Sequence, residues 1–119
     1  MVKYGTLEYF KKLAEAVNND EVISKSGLTM TVLSGFTDLN KAFLTAYQNG
    51  KVKEVKEVKM DDKADFITKA DYAMMAGIAK GEIDARTAKP KFSMIKAMQN
   101  MKALTRLGEI TKKLPDVEY

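Results

Sequence analysis

Histidine, cysteine and tryptophan are absent from this 119-residue chain, proline occurs twice, and Arg86 and Arg106 are its only arginines. Each absence removes a class of chemistry. Without histidine or cysteine there is no Ser-His-Asp triad, no thiolate nucleophile, no zinc site of the usual ligand types and no disulfide framework. Cofactor-free catalysis would fall to Asp, Glu, Lys or Tyr, and no constellation of these stands out, so neither an enzyme nor a cofactor is expected. No run approaches the ~18 apolar residues of a membrane span, and no segment has the basic start and apolar middle of a secretory signal. A soluble, cytoplasmic protein is the expectation. The length suits one domain, residues 1–119.

The charge that is present is mostly lysine: net +4, with a pI near 9.2. In KVKEVKEVKMDDK, residues 51 to 63, lysines alternate with Glu54 and Glu57 and then meet Asp61 and Asp62. The field partly cancels, which suits a solvated strand face better than a phosphate track. No aromatic cluster sits among the lysines to stack bases, so nucleic acid is not an expected partner.

Hydropathy spacing supplies the elements. Leu7, Phe10, Leu13, Ala14 and Val17 recur at helical intervals, ending at Asn18-Asn19-Asp20. Residues 28–33 alternate as a strand between Gly27 and Ser34-Gly35. Residues 41–48 and 51–59 form a hairpin about Asn49-Gly50, because both turn positions tolerate positive φ. Val52, Val55 and Val58 are spaced by three, so a bulge near Glu54 is required to restore the register. A strand over 64–68, a helix over 70–80 opened by Asp71, a helical turn within 82–88 and a strand over 91–97 follow. The last helix carries Met101, Leu104, Leu107, Ile110 and Leu114 on one stripe, stopped by Pro115. This order gives an α+β domain: a mostly antiparallel sheet with helices packed on one face.

Residues 63–114 also carry a resemblance. Ala64-Asp65-Phe66-Ile67-Thr68 as a strand, Ala70-Asp71 opening a helix, Met74-Met75-Ala76-Gly77-Ile78 along it, Gly81-Glu82-Ile83-Asp84 leaving it, Ala88, a strand at Lys91 to Ala97, then Asn100-Met101 leading through Leu104 and Leu107, resemble the sterol carrier protein 2 family. The resemblance implies a five-stranded sheet with helices on one side, enclosing an apolar tunnel for a fatty-acyl chain, acyl-CoA or a sterol. Carried over by position, the tunnel walls would be Met74, Met75 and Ile78 of the helix, Phe92 and Met94 of the strand, and Met101, Leu104 and Leu107 of the last helix. The chain departs from the family's pattern at Met98, Gln99 and Lys102, where small residues are usual.

A methionine stripe at helical spacing is commonly ordinary core, yet methionine's flexible, polarisable side chain also suits a wall that adapts to varied ligands. Lys96, Lys102 and Lys112 would stand near the mouth, facing a carboxylate or an anionic membrane, or simply solvent. Asp65 and Asp71 are explained as a turn residue and a helix start rather than a catalytic pair. The leading expectation is a carrier for a lipid or acyl-chain ligand, with transient contact to an anionic membrane. The alternative is a homodimeric or enzyme-docking interaction module that uses the same groove.

Overall fold

In the computed structural model, which describes residues 1–119, Asn49 and Gly50 close the central hairpin at φ 51° and 81°. The strands they join, β3 (Lys41–Gln48) and β4 (Lys51–Val58), pair antiparallel, and the register slips between Ala46 and Tyr47. Lys53 is the extra residue. Its insertion puts Val52 opposite Tyr47 and Val55 opposite Thr45, so two valines three apart share one face, while Val58 turns to the other. Charged side chains line the exposed edge of β4, which blunts it against pairing with other chains.

β2 (Met30–Phe36) lies beside β3 antiparallel and beside β5 (Phe66–Ala70) parallel; β6 (Lys91–Phe92) adds a short antiparallel edge. The result is an open, mixed, five-stranded sheet in the order β4-β3-β2-β5-β6. The parallel pair requires a crossover from one edge of the sheet to beyond its centre. That connection follows β4, and its Met60 reaches the sheet at Gly35, where an added Cβ would lie 3.1 Å from the Met60 thioether and 3.0 Å from Lys69. Asp65 anchors the far end: its carboxylate accepts from the Thr31 N–H at 2.9 Å and its own N–H donates to the Thr31 carbonyl at 3.1 Å.

Helices cover the other face. In α1 (Leu7–Asn18), capped by Thr6, and α3 (Tyr72–Ala79), capped by Asp71, the buried residues Tyr9, Phe10, Met75, Ala76 and Ala79 join Tyr4, Phe36 and Phe43 in one cluster. α2 (Glu21–Ser26), with Asp20 as N-cap and Gly27 ending it at φ 71°, and α5 (Met101–Lys113) contribute Ile23 and Ala103 to a second cluster with Val17, Leu28, Met30 and Tyr47. The Asp20 cap is doubly used, since Arg106 of α5 forks onto it at 2.7 and 3.1 Å. The chain ends meet: β1 (Val2–Lys3) pairs parallel with β7 (Val117–Glu118), and the Tyr4 N–H donates to Glu118 at 2.8 Å.

One expectation is overturned. Residues 91–97 are not a strand: pairing stops at Phe92, and Ser93 caps α4 (Met94–Gln99), its hydroxyl accepting from the Lys96 N–H. Apolar residues at 92, 94, 95, 97 and 98 fit both periods, and the serine cap decides for the helix. Residues 85–88 form the expected helical turn, as 3-10 helix.

Candidate functional site

Where α1, α3 and α5 meet the sheet they leave a cavity of about 150 Å³. Its floor is the helix-facing side of the central strands: Val32 and Ser34 of β2, Thr45 and Tyr47 of β3, and Thr68 of β5. Strand pairing places these on one face, because Val32 opposes Thr45 and Ser34 opposes Thr68. Phe10 and Leu13 of α1, Met75, Ile78 and Ala79 of α3, and Leu107 and Thr111 of α5 supply the walls, and Tyr4 and Tyr9 close one side. The lining is thus apolar side chain with a few hydroxyls, which is how sites for apolar ligands with a small polar group are built.

The hydroxyls differ in what they bond. Tyr4 donates to the Met75 carbonyl at 3.0 Å, and Thr111 donates to Leu107 at 2.8 Å within α5. Tyr9 is 1% exposed, yet its hydroxyl is the one buried side-chain polar atom with no hydrogen-bond partner in the protein. Its ring is held edge-on by Tyr4 at 4.7 Å and by Phe10 at 5.0 Å, so it is not free to swing to solvent. Burial, then the proximity of the Tyr4, Tyr119 and Tyr47 hydroxyls, pushes its pKa far above the ordinary tyrosine value. It is a neutral donor and acceptor throughout the physiological range.

Of the sequence-derived wall residues, Met75, Ile78 and Leu107 line this cavity. Leu104 packs instead beside the second cluster, against the group around Ile23 and Tyr47. Met74 is half-buried on α3 and is not part of the lining. Phe92 stacks on Phe66 at 5.2 Å with its outer side in solvent, and Met94 and Met101 are exposed. Met94 sits on a helix, so the strand wall that the resemblance implied is not there. The tyrosine walls lie off the methionine stripe that the spacing marks. Tyr9 lies four residues before Leu13 on the helix and shares its face, a spacing that could have revealed it.

Of the lysines placed near the mouth, Lys96 pairs with Asp65 at 3.0 Å, and Lys102 and Lys112 are exposed. Asp65 has a structural post. Desolvation pushes its carboxyl up, but the Thr31 N–H and Lys96 outweigh this and hold it below the usual range. Asp71 accepts from the Met74 N–H at 2.8 Å as a helix cap. A second, wider recess of about 510 Å³ lies between the crossover and β5, lined by Asp61, Asp62, Lys63, Lys69, Lys89 and Lys91. Ala64, Ile67 and Ala88 share that wall with the charges, and burial of an apolar ligand favours the smaller space, whose lining is mostly apolar. No group of three or more acidic residues is placed to hold a metal ion, and no helix is long and apolar enough to cross a membrane.

No protein-family model matches the chain, and a search of curated proteins gives no sequence match. Solved structures do match it. The crystal structure of sterol carrier protein 2 superimposes with a TM-score of 0.74 at 17% identity, over 92% of this chain and 97% of that one. The solution structure of a conserved hypothetical protein from Thermus thermophilus, suggested to be a sterol carrier protein, gives 0.73 at 14% identity, over 93% and 91%. The ubiquinone synthesis protein UbiJ-SCP2 gives 0.56 at 11% identity, over 93% of both chains. The chain has the sterol carrier protein 2 fold.

Proposed function

We propose that this chain is a lipid-binding carrier, not a catalyst, and that it holds the apolar part of a fatty-acyl or sterol-like ligand between α1, α3, α5 and the sheet. The observation that carries the reading is the apolar cavity of about 150 Å³ with one buried, unpartnered tyrosine hydroxyl in its wall. A closed, dry apolar hole of that size would cost about 4 kcal/mol at ~24 cal/mol per Å³, which is the upper bound for this half-open one and compares with a domain's stability of ~5 to 15 kcal/mol. An apolar ligand removes that cost and adds ~25 cal/mol for each Å² of its own surface taken from water. A ligand oxygen that reaches the Tyr9 hydroxyl would satisfy it, and an unbonded buried hydroxyl costs about 1 to 3 kcal/mol. The sterol carrier fold of the solved neighbours supports the same reading.

Size sets the class of motion. A cavity of roughly 150 Å³ accepts a molecule the size of benzene, so a full acyl chain enters by parting α5 from α1 and α3. α5 is suited to move, because Ala103 is its only fully buried residue. The test is binding of a fluorescent fatty acid to delipidated protein, paired with mass spectrometry of freshly purified protein sprayed native and then denatured. Saturable binding, with displacement by unlabelled acyl chains, is expected. Absence of binding by fatty acids and sterols alike would overturn the proposal.

A further inference from the structure

We infer that α4 and the residues flanking it form a docking surface for an anionic lipid bilayer. Eight large apolar side chains are exposed in the whole molecule, and five of them, Phe92, Met94, Ile95, Met98 and Met101, fall within ten consecutive residues. α4 buries none of its residues, and Met94, Ile95 and Met98 are 63%, 70% and 65% exposed. On a helix Met98 neighbours both Met94, four residues before it, and Ile95, three before it, so these three form one outward patch, followed by Met101 at 61% across the Asn100 junction. A short helix that turns its apolar side to water, in a protein with two well-buried clusters, marks an interaction surface.

The surrounding charge selects the partner. Between Ala85 and Gly108 lie Arg86, Lys89, Lys91, Lys96, Lys102 and Arg106 and not one acidic residue, whereas the whole chain is only +4. The remainder of the molecule is therefore net acidic, and the basic charge is concentrated in the segment that carries the apolar patch. Arg86, Lys96 and Arg106 are held by Asp84, Asp65 and Asp20, which leaves Lys89, Lys91 and Lys102 without ion pairs. Exposed apolar side chains and unpaired lysines in one segment are the two components of interfacial binding: insertion among acyl chains, and attraction to anionic headgroups. A protein partner fits less well, because the energetic centres of protein interfaces are rich in Trp, Tyr and Arg and the patch has none of these.

The patch lies outside the cavity, so this inference stands or falls apart from ligand binding. Cosedimentation tests it, using vesicles of phosphatidylcholine alone and of phosphatidylcholine with phosphatidylserine. The wild-type chain should bind the anionic vesicles, bind the neutral ones weakly, and release as salt rises. The double variant Ile95→Glu, Met98→Glu should bind anionic vesicles at least about tenfold less while unfolding at the wild-type temperature, since both side chains are exposed. Lys89→Glu with Lys91→Glu should weaken binding at low salt and leave the residual high-salt binding alone. Failure of the wild type to bind anionic vesicles, or equal binding by the double variant, overturns the inference. A dimer in sedimentation equilibrium that the double variant abolishes, with no vesicle binding, would assign the patch to a second copy of the chain instead.

Discussion

Replacing Tyr9 by phenylalanine removes one oxygen and leaves the ring, whose contacts with Tyr4 at 4.7 Å and Phe10 at 5.0 Å persist. Tyrosine-to-phenylalanine changes in a core usually destabilise, because a hydrogen bond is lost. Here the sign reverses. The Tyr9 hydroxyl is buried and has no partner in the protein, so its removal recovers the desolvation cost of an unbonded group, about 1 to 3 kcal/mol. For a domain of this size each kcal/mol shifts the melting temperature by roughly 4 °C. Urea unfolding of delipidated Tyr9→Phe protein should show a higher midpoint with an unchanged slope. Ligand binding should move the other way: an oxygen-bearing lipid loses a neutral hydrogen bond of about 0.5 to 1.5 kcal/mol, hence roughly two- to tenfold in affinity, while a pure hydrocarbon probe is unaffected. Destabilisation of the variant by ~1 kcal/mol or more, or equal loss of hydrocarbon and oxygenated ligands, would refute the reasoning, since the hydroxyl would then be a structural donor.

Ala79 lines the cavity from α3, so Ala79→Leu fills part of the space: it should cost no more than about 1 to 3 kcal/mol of stability while cutting acyl binding at least about tenfold, as read by fluorescence titration. Gly50 sits at φ 81°, and an added Cβ would come within 2.5 Å of the Ser24 carbonyl oxygen; Gly50→Ala should cost about 2 to 3 kcal/mol in urea unfolding, with loss of amide protection in α2. The fork from Arg106 holds the Asp20 carboxyl below its ordinary value of 3.8, and hydrogen bonds hold Asp65 below it too. Both are lowered in the folded state, so their stabilisation is complete above about pH 4 and is lost as pH falls through the folded values; Asp20→Asn should flatten that acid limb in a pH series of melting temperatures.

Local chemistry was the legible part of this fold. Asn49-Gly50 specifies its own turn, Asp71 its own helix cap, and the three-residue valine spacing demands the bulge that Lys53 supplies. Where two periods fitted the same residues, as at 91–97, hydropathy alone chose wrongly and the Ser93 cap held the answer. α2 was missed because Asp20 reads equally as the end of one helix and the start of another, and it is both a junction and a cap. The candidate site was less legible still. Spacing puts Met75, Ile78 and Leu107 on apolar helix faces and only the family resemblance made them walls, while Ser34, Thr45 and Thr68 join them through strand register, and pairing of β2 with β5 brings together segments that no local pattern connects.

The parallel pairing of the two chain ends also bears on how the molecule assembles. Closing a loop of more than a hundred residues costs about 4 kcal/mol of chain entropy before the first contact repays it. Pairs as short as Val2 with Val117 and Lys3 with Glu118 are too few to lead, so they join a nucleus formed elsewhere, by the hairpin and the helices laid over it. Substitutions at this seam should accelerate unfolding and leave the folding rate alone. Tyr4, a wall of the cavity, is tied to the seam through its N–H on Glu118. One wall of the cavity is therefore tied to a contact expected to form after the hairpin.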